Sequence, residues 1–176
     1  MEAPDEEIML AYGQGDAGAF ETLYKRHRGP LYRFMVRALK HRSAAEELFQ
    51  EVWIRVIESR SRYAPQARFT TWLYTIAHNL LVDHWRKKGL SLASLDAEDV
   101  AVESANPARQ AEGREALARL LQAIEALPPA QREAFLLHEE SGLTVAEIAA
   151  ATGTNEEAAK SRLRYAMAKL KAVVDE

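Results

Sequence analysis

The stretch from residue 142 to 166 reads Gly142-Leu143-Thr144-Val145-Ala146-Glu147-Ile148-Ala149-Ala150-Ala151-Thr152-Gly153-Thr154-Asn155-Glu156-Glu157-Ala158-Ala159-Lys160-Ser161-Arg162-Leu163-Arg164-Tyr165-Ala166. A short helix, a tight turn and a longer second helix are the layout of a helix-turn-helix. Ala146, Ala149 and Ala150 are small enough to let two helices approach, and Gly153 supplies the positive φ that the turn needs. The sequence therefore predicts a helix-turn-helix here.

The second helix of this stretch has an apolar stripe and an opposite polar face. The stripe consists of Ala159, Leu163, Ala166 and Leu170, and the polar face of Glu156, Glu157, Lys160, Ser161 and Arg164, with Arg162 at its edge. Long basic side chains and a hydroxyl on such a face can reach phosphates and base edges in a major groove. A plain αα-hairpin with a solvated outer face is the alternative.

Helix signals dominate both ends of the chain, and strand signals are nearly absent. Three capping boxes, in which a hydroxyl caps the first turn and a glutamate three residues on returns the bond, start at Ser43, Thr144 and Thr154. Periodicity adds helices over 5–13, 16–41 with a kink at Gly29-Pro30, 70–88, 114–127 and 130–139. The predicted fold class is all-α, with two small helical domains.

Composition divides the chain into three segments. Lys and Arg number 14 in residues 1–88, 1 in 89–113 and 8 in 114–176, against 11, 5 and 10 Asp and Glu. The first segment also holds 12 of the 14 aromatic residues and the middle segment holds none. We therefore expect domains over 1–88 and 114–176, joined by an acidic linker over 89–113 that is extended and mobile.

Several functional classes are disfavoured by composition. The chain has 176 residues and no cysteine, which excludes a disulfide framework, a thiolate nucleophile and a Cys-based metal site. It has no signal-peptide pattern and no apolar run that approaches a membrane span, so a cytoplasmic protein is expected. The sequence shows no pattern typical of a catalytic site, such as a nucleophile with a base, a phosphate-cradling glycine loop or a pair of carboxylates. This argues against an enzyme. The net charge of −3 argues against a protein that coats nucleic acid by bulk charge.

A basic and aromatic segment lies between residues 60 and 88. Arginines and aromatics interleave in a loop held open by Pro65, and a helix follows that carries Thr71, Thr75, Asn79 and Arg86 along one polar stripe. Arginine neutralises phosphate and exposed aromatics stack on unpaired bases, so the mixture suits single-stranded nucleic acid. The aromatics of this segment could instead belong to the core. His78, Asp83 and His84 lack a companion ligand at metal-binding spacing, so no metal site is expected.

The predicted helix after Ser43 combines an acidic rim with surplus apolar surface. The rim comprises Glu46, Glu47, Gln50 and Glu51, beside Leu48, Phe49, Val52, Trp53, Val56 and Ile57. Aromatics beside a charged rim are typical of a protein interface. Composition alone equally fits a solvated face above a generous core.

Together these motifs resemble the bacterial extracytoplasmic-function (group four) sigma factors, which are two-domain promoter-specificity subunits of RNA polymerase. Residues 45–53 look like region 2.2, which binds the β′ clamp helices, and residues 69–88 are similar to regions 2.3 and 2.4, which open the −10 element. Residues 127–135 and the helix-turn-helix look like region 4, which reads the −35 element and meets the β flap. The resemblance covers nearly the whole chain.

The resemblance implies three sets of site residues. The −10 set is Arg60, Arg62, Tyr63, Gln66, Arg68, Phe69, Thr71, Trp72, Thr75, Asn79 and Arg86, with the loop 60–69 as the pocket for a flipped base. The −35 set is Thr144, Thr154, Glu157, Lys160, Ser161, Arg162 and Arg164. The polymerase-binding set is Glu46, Glu47, Phe49, Gln50, Glu51 and Trp53.

Glu157 departs from the family pattern. Sigma factors of this kind usually have Gly-Thr-Val before Lys-Ser-Arg, where this chain has Glu157-Ala158-Ala159. The Glu157 carboxylate either accepts from a cytosine amino group or only closes its capping box.

The resemblance also implies partners. These are core RNA polymerase, promoter DNA and an anti-sigma factor, with no cofactor, small-molecule substrate or membrane insertion. The acidic linker would thread toward the polymerase active cleft. A self-sufficient helix-turn-helix regulator with a ligand-sensing N-terminal lobe is the alternative function.

Overall fold

A computed structural model describes residues 2–90 and 113–175, and within these ranges all regular structure is helical. The predicted all-α class is thereby confirmed. The first lobe contains α1 (Asp5–Gly13), α2 (Ala17–Leu39), α3 (Arg42–Glu58) and α4 (Phe69–Lys87). The second lobe contains α5 (Gly113–Ala126), α6 (Pro129–Glu139), α7 (Val145–Thr152) and α8 (Glu156–Val174). The acidic linker prediction falls largely on residues 91–112, which lie outside the described residues.

The helix starts confirm one predicted capping box and correct two. The Thr144 hydroxyl accepts from the backbone N–H of Glu147, whose carboxylate accepts in return from the Thr144 N–H. Helix α3 is capped by His41, not by Ser43, because the His41 Nδ1 accepts from the Ala44 N–H. The cap of α8 is Asn155 rather than Thr154, since asparagine one residue later can accept from the backbone N–H of Ala158.

Helix α2 runs unbroken through Pro30 and ends in a left-handed residue. Pro30 lies in the interior of the helix, where the sequence predicted a kink, and the helix continues on both sides of it. Lys40 follows with a φ of 58°, and its N–H donates to the Val36 carbonyl. This conformation ends α2 and turns the chain into α3.

The first lobe is packed around a core from all four of its helices. Met9, Leu23, Phe34, Val52 and Leu81 are fully buried in it. Helix α2 packs against α1 and α3, and α3 packs against α4. The basic-aromatic loop between α3 and α4 therefore lies at the edge of a rigid helical body.

The second lobe packs its own helices together and also packs against the first lobe. Helix α8 lies against α5, α6 and α7, with Ala159, Ala166 and Leu170 of the predicted stripe buried and Leu163 half-buried. Between the lobes, α7 packs on α4 and α6 packs on α2. No helix in the described parts of the chain is long and apolar enough to cross a membrane.

Candidate nucleic-acid interface

The loop between α3 and α4 presents polar and cationic side chains to solvent. Arg60, Arg62, Gln66 and Arg68 are all exposed. The loop rests on the end of α1, where a Cβ atom added to Gly13 would overlap the backbone carbonyl of Arg60. The first lobe thus fixes the loop backbone and leaves these side chains exposed to solvent, although Arg60 Nη1 donates to the Ile57 carbonyl and Arg68 Nη1 lies 3.5 Å from the Glu147 carboxylate.

The aromatics of this loop form a cluster that is mostly inside the lobe. Phe69 is fully buried and Tyr63 is 9% exposed, while Trp72 is half-buried. The ring centroids of Tyr63 and Trp72 are 5.0 Å apart in an edge arrangement, and those of Phe69 and Trp72 are 5.7 Å apart. Phe69, which was expected in the base-binding pocket, has no surface for a base and instead supports Trp72 from the core.

Tyr63 carries a buried polar atom without a partner. Its hydroxyl makes no hydrogen bond to any described residue, and burial raises the pKa of the phenol to about 12. A buried donor left unsatisfied is costly, so an acceptor brought in from outside would lower that cost. The hydroxyl lies in the segment that carries the exposed arginines.

The polar stripe of α4 splits into a covered half and an open half. Thr71 is 5% exposed and its hydroxyl donates to the Glu147 carboxylate of the second lobe at 3.1 Å. The Thr75 hydroxyl donates to the Thr71 carbonyl, and Thr75 is half-buried. Asn79 and Arg86 remain exposed. In this arrangement the N-terminal half of the stripe faces the second lobe.

The outer face of α8 is available as the sequence predicted. Glu157, Lys160 and Arg164 are exposed there, and Ser161 and Arg162 are partly exposed. The Arg164 guanidinium lies 5.4 Å from the centroid of the Tyr165 ring, which limits its freedom. Of the remaining −35 residues, Thr144 is exposed and Thr154 is partly buried.

Both predicted DNA-reading sets contribute to one cavity between the lobes. The cavity has a volume of about 580 Å³ and is lined by Asn79 and Arg86 of the first lobe and by Thr154 and Arg162 of the second. His78, Asp83 and Glu133 also line it. Side chains that meet in one cavity cannot contact two separated DNA elements, so simultaneous reading of two elements requires the lobes to move apart.

The predicted protein interface on α3 has an exposed rim over a buried aromatic cluster. Glu46, Glu47 and Gln50 are exposed and Glu51 is partly exposed. Beneath them Trp53 is 5% exposed and packs edge-on against Tyr24, with centroids 5.0 Å apart. Phe49 is half-buried in the same cluster. The rim can contact a partner, whereas Trp53 belongs to the core.

The structure also brings together residues that the sequence analysis did not single out. His78 is close to Glu133, with 2.8 Å between Nδ1 and the carboxylate, and Arg33 contacts Glu140 at 3.0 Å. Within the described ranges no three His, Asp or Glu side chains could hold a metal ion. Acidic residues seven apart on one helix, such as Glu133 and Glu140, share a face. That spacing was the available signal in the sequence, but their partners His78 and Arg33 lie 55 and 107 residues away and gave no local signal.

Comparison with known families matches two segments of the chain. Residues 23–90 match Sigma-70 region 2 and residues 117–170 match Sigma-70, region 4. The first match spans most of the first lobe, including the basic-aromatic loop and α4. The second spans most of α5 and all of α6 and α7, and ends within α8.

Curated relatives align over nearly the whole chain. The RNA polymerase sigma factor CarQ of Myxococcus xanthus is 34% identical over 96% of this chain and 96% of its own length. The ECF RNA polymerase sigma factor BldN of Streptomyces coelicolor is 32% identical over 90% of this chain and 61% of its own length.

Solved structures share the fold. CnrH, in complex with the cytosolic domain of CnrY, superposes with a TM-score of 0.72 at 23% identity, over 97% of both chains. The sigma factor RpoE of Bartonella quintana, in complex with the anti-sigma factor NepR, superposes with a TM-score of 0.68 at 24% identity, over 89% of this chain and 96% of RpoE.

Proposed function

The chain belongs to the ECF sigma-70 family of RNA polymerase sigma factors, and we propose that it is a group-four member that binds core RNA polymerase and directs initiation at promoters with −35 and −10 elements. We divide it into region 2 over 1–88, a linker over 89–113 and region 4 over 114–176. Matches of region 2 to 23–90 and of region 4 to 117–170 support this division.

The observation that carries the −10 assignment is the loop before α4. Three exposed arginines surround a segment whose Tyr63 hydroxyl is buried without a partner, beside the half-buried Trp72. Arginines can hold the backbone of a separated strand while a flipped base meets the edge of the aromatic cluster. The loop and α4 therefore capture the non-template strand of the −10 element.

The −35 assignment is carried by the outer face of α8. Lys160 and Arg164 project from a helix whose opposite side is buried against the rest of the lobe. This is how a recognition helix enters a major groove. Because Asn155 caps α8, the Glu157 carboxylate is not needed for the Thr154 box, which favours its role in reading a base.

The acidic rim of α3 is the surface for the β′ clamp helices, and the second lobe meets the β flap. The rim residues Glu46, Glu47 and Gln50 are exposed over a rigid aromatic base. Structures of the sigma factors CnrH and RpoE contain CnrY and the anti-sigma factor NepR, respectively, which supports an anti-sigma factor for this chain too. The protein acts in the cytoplasm and has no catalysis of its own.

Variants on the two DNA-reading surfaces test these roles. With core RNA polymerase, Arg164→Ala is expected to weaken −35 protection by roughly tenfold, the loss of one good base or phosphate contact. Arg62→Ala is expected to slow promoter opening and to leave −35 protection intact. Lys25→Ala, at an exposed site on α2, is the control. Equal loss of both steps in both variants would overturn the assignment.

The polymerase surface needs a variant that spares the core. Trp53→Ala would empty a buried site and confuse binding with folding, at a cost of about 3 kcal/mol or more. Glu47→Lys reverses an exposed charge and is expected to weaken core binding, whereas Glu21→Lys on the exposed part of α2 is not. Equal core affinity of Glu47→Lys and wild type would remove α3 from the interface.

A further inference from the structure

Helix α1 contacts the first residue of the connection between α3 and α4, residues 60–68, which we call the −10 loop. The Arg60 guanidinium lies 6.0 Å from the centroid of the Tyr12 ring. One residue further along α1, a Cβ atom added to Gly13 would overlap the Arg60 carbonyl oxygen. The C-terminal end of α1 therefore contacts both the side chain and the backbone of Arg60.

The N-terminal end of α1 supports the opposite end of the −10 loop. The Asp5 carboxylate contacts His27 Nε2 at 2.8 Å, and the ring centroids of His27 and Phe69 are 5.2 Å apart. Phe69 follows the −10 loop directly. Pro4 and Asp5 also line a cavity of about 330 Å³ together with Arg68, the last residue of the loop. With nine residues α1 is roughly 13 Å long, so it bridges the two ends of the loop.

The −10 loop has few hydrogen bonds of its own to fix its shape. Among the described residues, the backbone from 63 to 68 donates one backbone–backbone hydrogen bond, from the Gln66 N–H to the Ala64 carbonyl. Tyr63 is held by its packing against Phe69 and Trp72. A loop with so few bonds keeps one conformation only where neighbouring elements hold it, because its backbone entropy favours many. Helix α1 is the element that supports both of its ends.

The approach of the −10 loop to Gly13 leaves no room for a side chain. The Arg60 carbonyl belongs to the backbone, so it cannot rotate away from an added methyl group as a flexible side chain could. Helix α1 is anchored by Met9, which is fully buried in the core of the first lobe. A side chain at position 13 would therefore displace the start of the loop rather than the helix.

On the proposed function as premise, we propose that Gly13 is a positioning residue for promoter opening and that α1 sets the shape of the −10 loop. Gly13 makes no contact with DNA in this role and acts through the Arg60 backbone. That backbone sets where the exposed Arg62 side chain and the Tyr63 hydroxyl meet the non-template strand. A loop that already has its binding shape loses less conformational entropy when it captures a base.

Gly13→Ala tests this role, because it adds one methyl group at the Arg60 carbonyl. In complex with core RNA polymerase, the variant is expected to slow promoter opening by roughly tenfold, measured by the permanganate reactivity of unpaired −10 thymines. Core affinity and −35 protection are expected to match wild type, since the surfaces proposed for them lie on α3 and α8. Opening at the wild-type rate would overturn the proposal. An equal loss in all three measurements would also overturn it, because that result indicates damage to the fold.

The matched control is Gly29→Ala in α2 of the same lobe. A Cβ atom there would meet Arg33 Nη1 at 3.3 Å, which is the end of a flexible side chain and can move. Alanine is a better helix former than glycine, so this variant should remain folded and open promoters at the wild-type rate. If Gly29→Ala slows opening as much as Gly13→Ala does, the specific role of Gly13 is overturned.

A second variant on α1 introduces no steric overlap. Tyr12→Leu removes the ring beside the Arg60 guanidinium and keeps an apolar side chain next to Phe20, whose ring centroid lies 5.1 Å from that of Tyr12. We expect opening to slow by about threefold, which corresponds to the loss of one exposed cation–π contact. An unchanged opening rate for Tyr12→Leu would overturn the role of α1 in shaping the loop.

A spectroscopic readout of the free chain separates this inference from its premise. In nitrogen-15 NMR, Gly13→Ala is expected to shift the amide resonances of residues 60–68 and to leave those of α8 unchanged. Loop resonances that do not move would overturn the positioning role. If the loop responds but the wild-type chain opens no promoter with core enzyme, the proposed function fails and the control of the loop by α1 stands. If wild type and Gly13→Ala open promoters equally well, this inference fails and the proposed function stands.

Discussion

Arg132 is a buried cation of the second lobe that donates hydrogen bonds to backbone carbonyls of both lobes. It is 2% exposed, its Nε donates to the Ala38 carbonyl of α2, and one Nη donates to the carbonyls of Leu127 and Glu125. Burial lowers the pKa of the guanidinium to about 10, so it remains charged at neutral pH. The side chain satisfies the carbonyls at the end of α5 and ties them to the end of α2.

Replacing Arg132 with methionine removes three charge-assisted hydrogen bonds and keeps most of the side-chain volume. We expect a loss of about 2–4 kcal/mol in the free energy of unfolding, because buried carbonyls are left without donors. Urea denaturation followed by circular dichroism measures it. Arg114→Ala at an exposed site is the control and should change stability by less than about 0.5 kcal/mol. A loss for Arg132→Met no larger than for the control would contradict this role.

Asp5 makes the attachment of α1 to α2 dependent on pH. Its carboxylate contacts His27 Nε2 at 2.8 Å and accepts from Arg26 Nη1 at 3.0 Å. Burial raises the pKa of Asp5, but these two partners outweigh burial and bring it below the ordinary value of 3.8. A lowered carboxyl pKa stabilises the fold above the unfolded-state value and ceases to do so as pH falls through the folded-state value.

Asp5→Asn is therefore expected to lower stability at pH 7, with the difference from wild type shrinking once pH falls below about 4. Thermal melting across this range measures the difference. Glu7→Gln, which removes an exposed acid from the same helix, is the control. A difference between Asp5→Asn and wild type that is independent of pH would show that the carboxylate charge does not hold α1.

At the scale of the element, the helix-turn-helix depends on the backbone of Gly153. This residue ends α7 with a φ of 65°, and a Cβ atom there would meet no neighbour within 4 Å. Gly153→Ala should therefore cost about 1 kcal/mol from backbone strain alone, and Gly153→Asn less, because asparagine tolerates the left-handed region. Chemical denaturation measures the free energy of unfolding of both variants. A Gly153→Ala variant as stable as the wild type would contradict this prediction.

Helices and caps could be predicted from the sequence where the residues that determine them lie close together along the chain. The Thr144 box and the stripe through Ala159 and Ala166 lie within one or two turns, and both are found as predicted. The His41 cap was missed because histidine is uncommon at that position and Ser43 offered the usual signal two residues later. Tyr63 and Phe69 carried no local sign that would distinguish core aromatics from exposed ones.

At the scale of the whole molecule, the decisive contacts join residues far apart in sequence. Glu147 meets Thr71 and Arg132 meets Ala38 only because α6 and α7 dock on α2 and α4. Neither periodicity nor composition predicts that the two lobes pack together, because the apolar faces of each lobe's helices can be buried within that lobe. Three acids of the second lobe face partners in the first, so part of the acidic charge of the chain is used inside the molecule.

Locking the lobes together should block function without disturbing either lobe. In Arg33→Cys, Glu140→Cys a short cleavable bismaleimide can bridge two sites whose native side chains are in contact. We expect the bridged chain to lose promoter-specific transcription by roughly tenfold or more, because closed lobes cannot reach two elements, and to recover when the linker is cleaved. Full activity of the bridged chain would show that the lobes need not separate.

The central claim, that this chain confers promoter specificity on RNA polymerase, is tested most directly by mapping transcript 5′ ends. Core enzyme is supplied with a genomic promoter library, with and without the purified chain. The account predicts discrete start sites that require both core enzyme and the chain, preceded by common −35 and −10 sequences. Start sites no different from those of core enzyme alone, with tight sequence-specific binding of duplex DNA by the free chain, would contradict it and indicate a self-sufficient regulator.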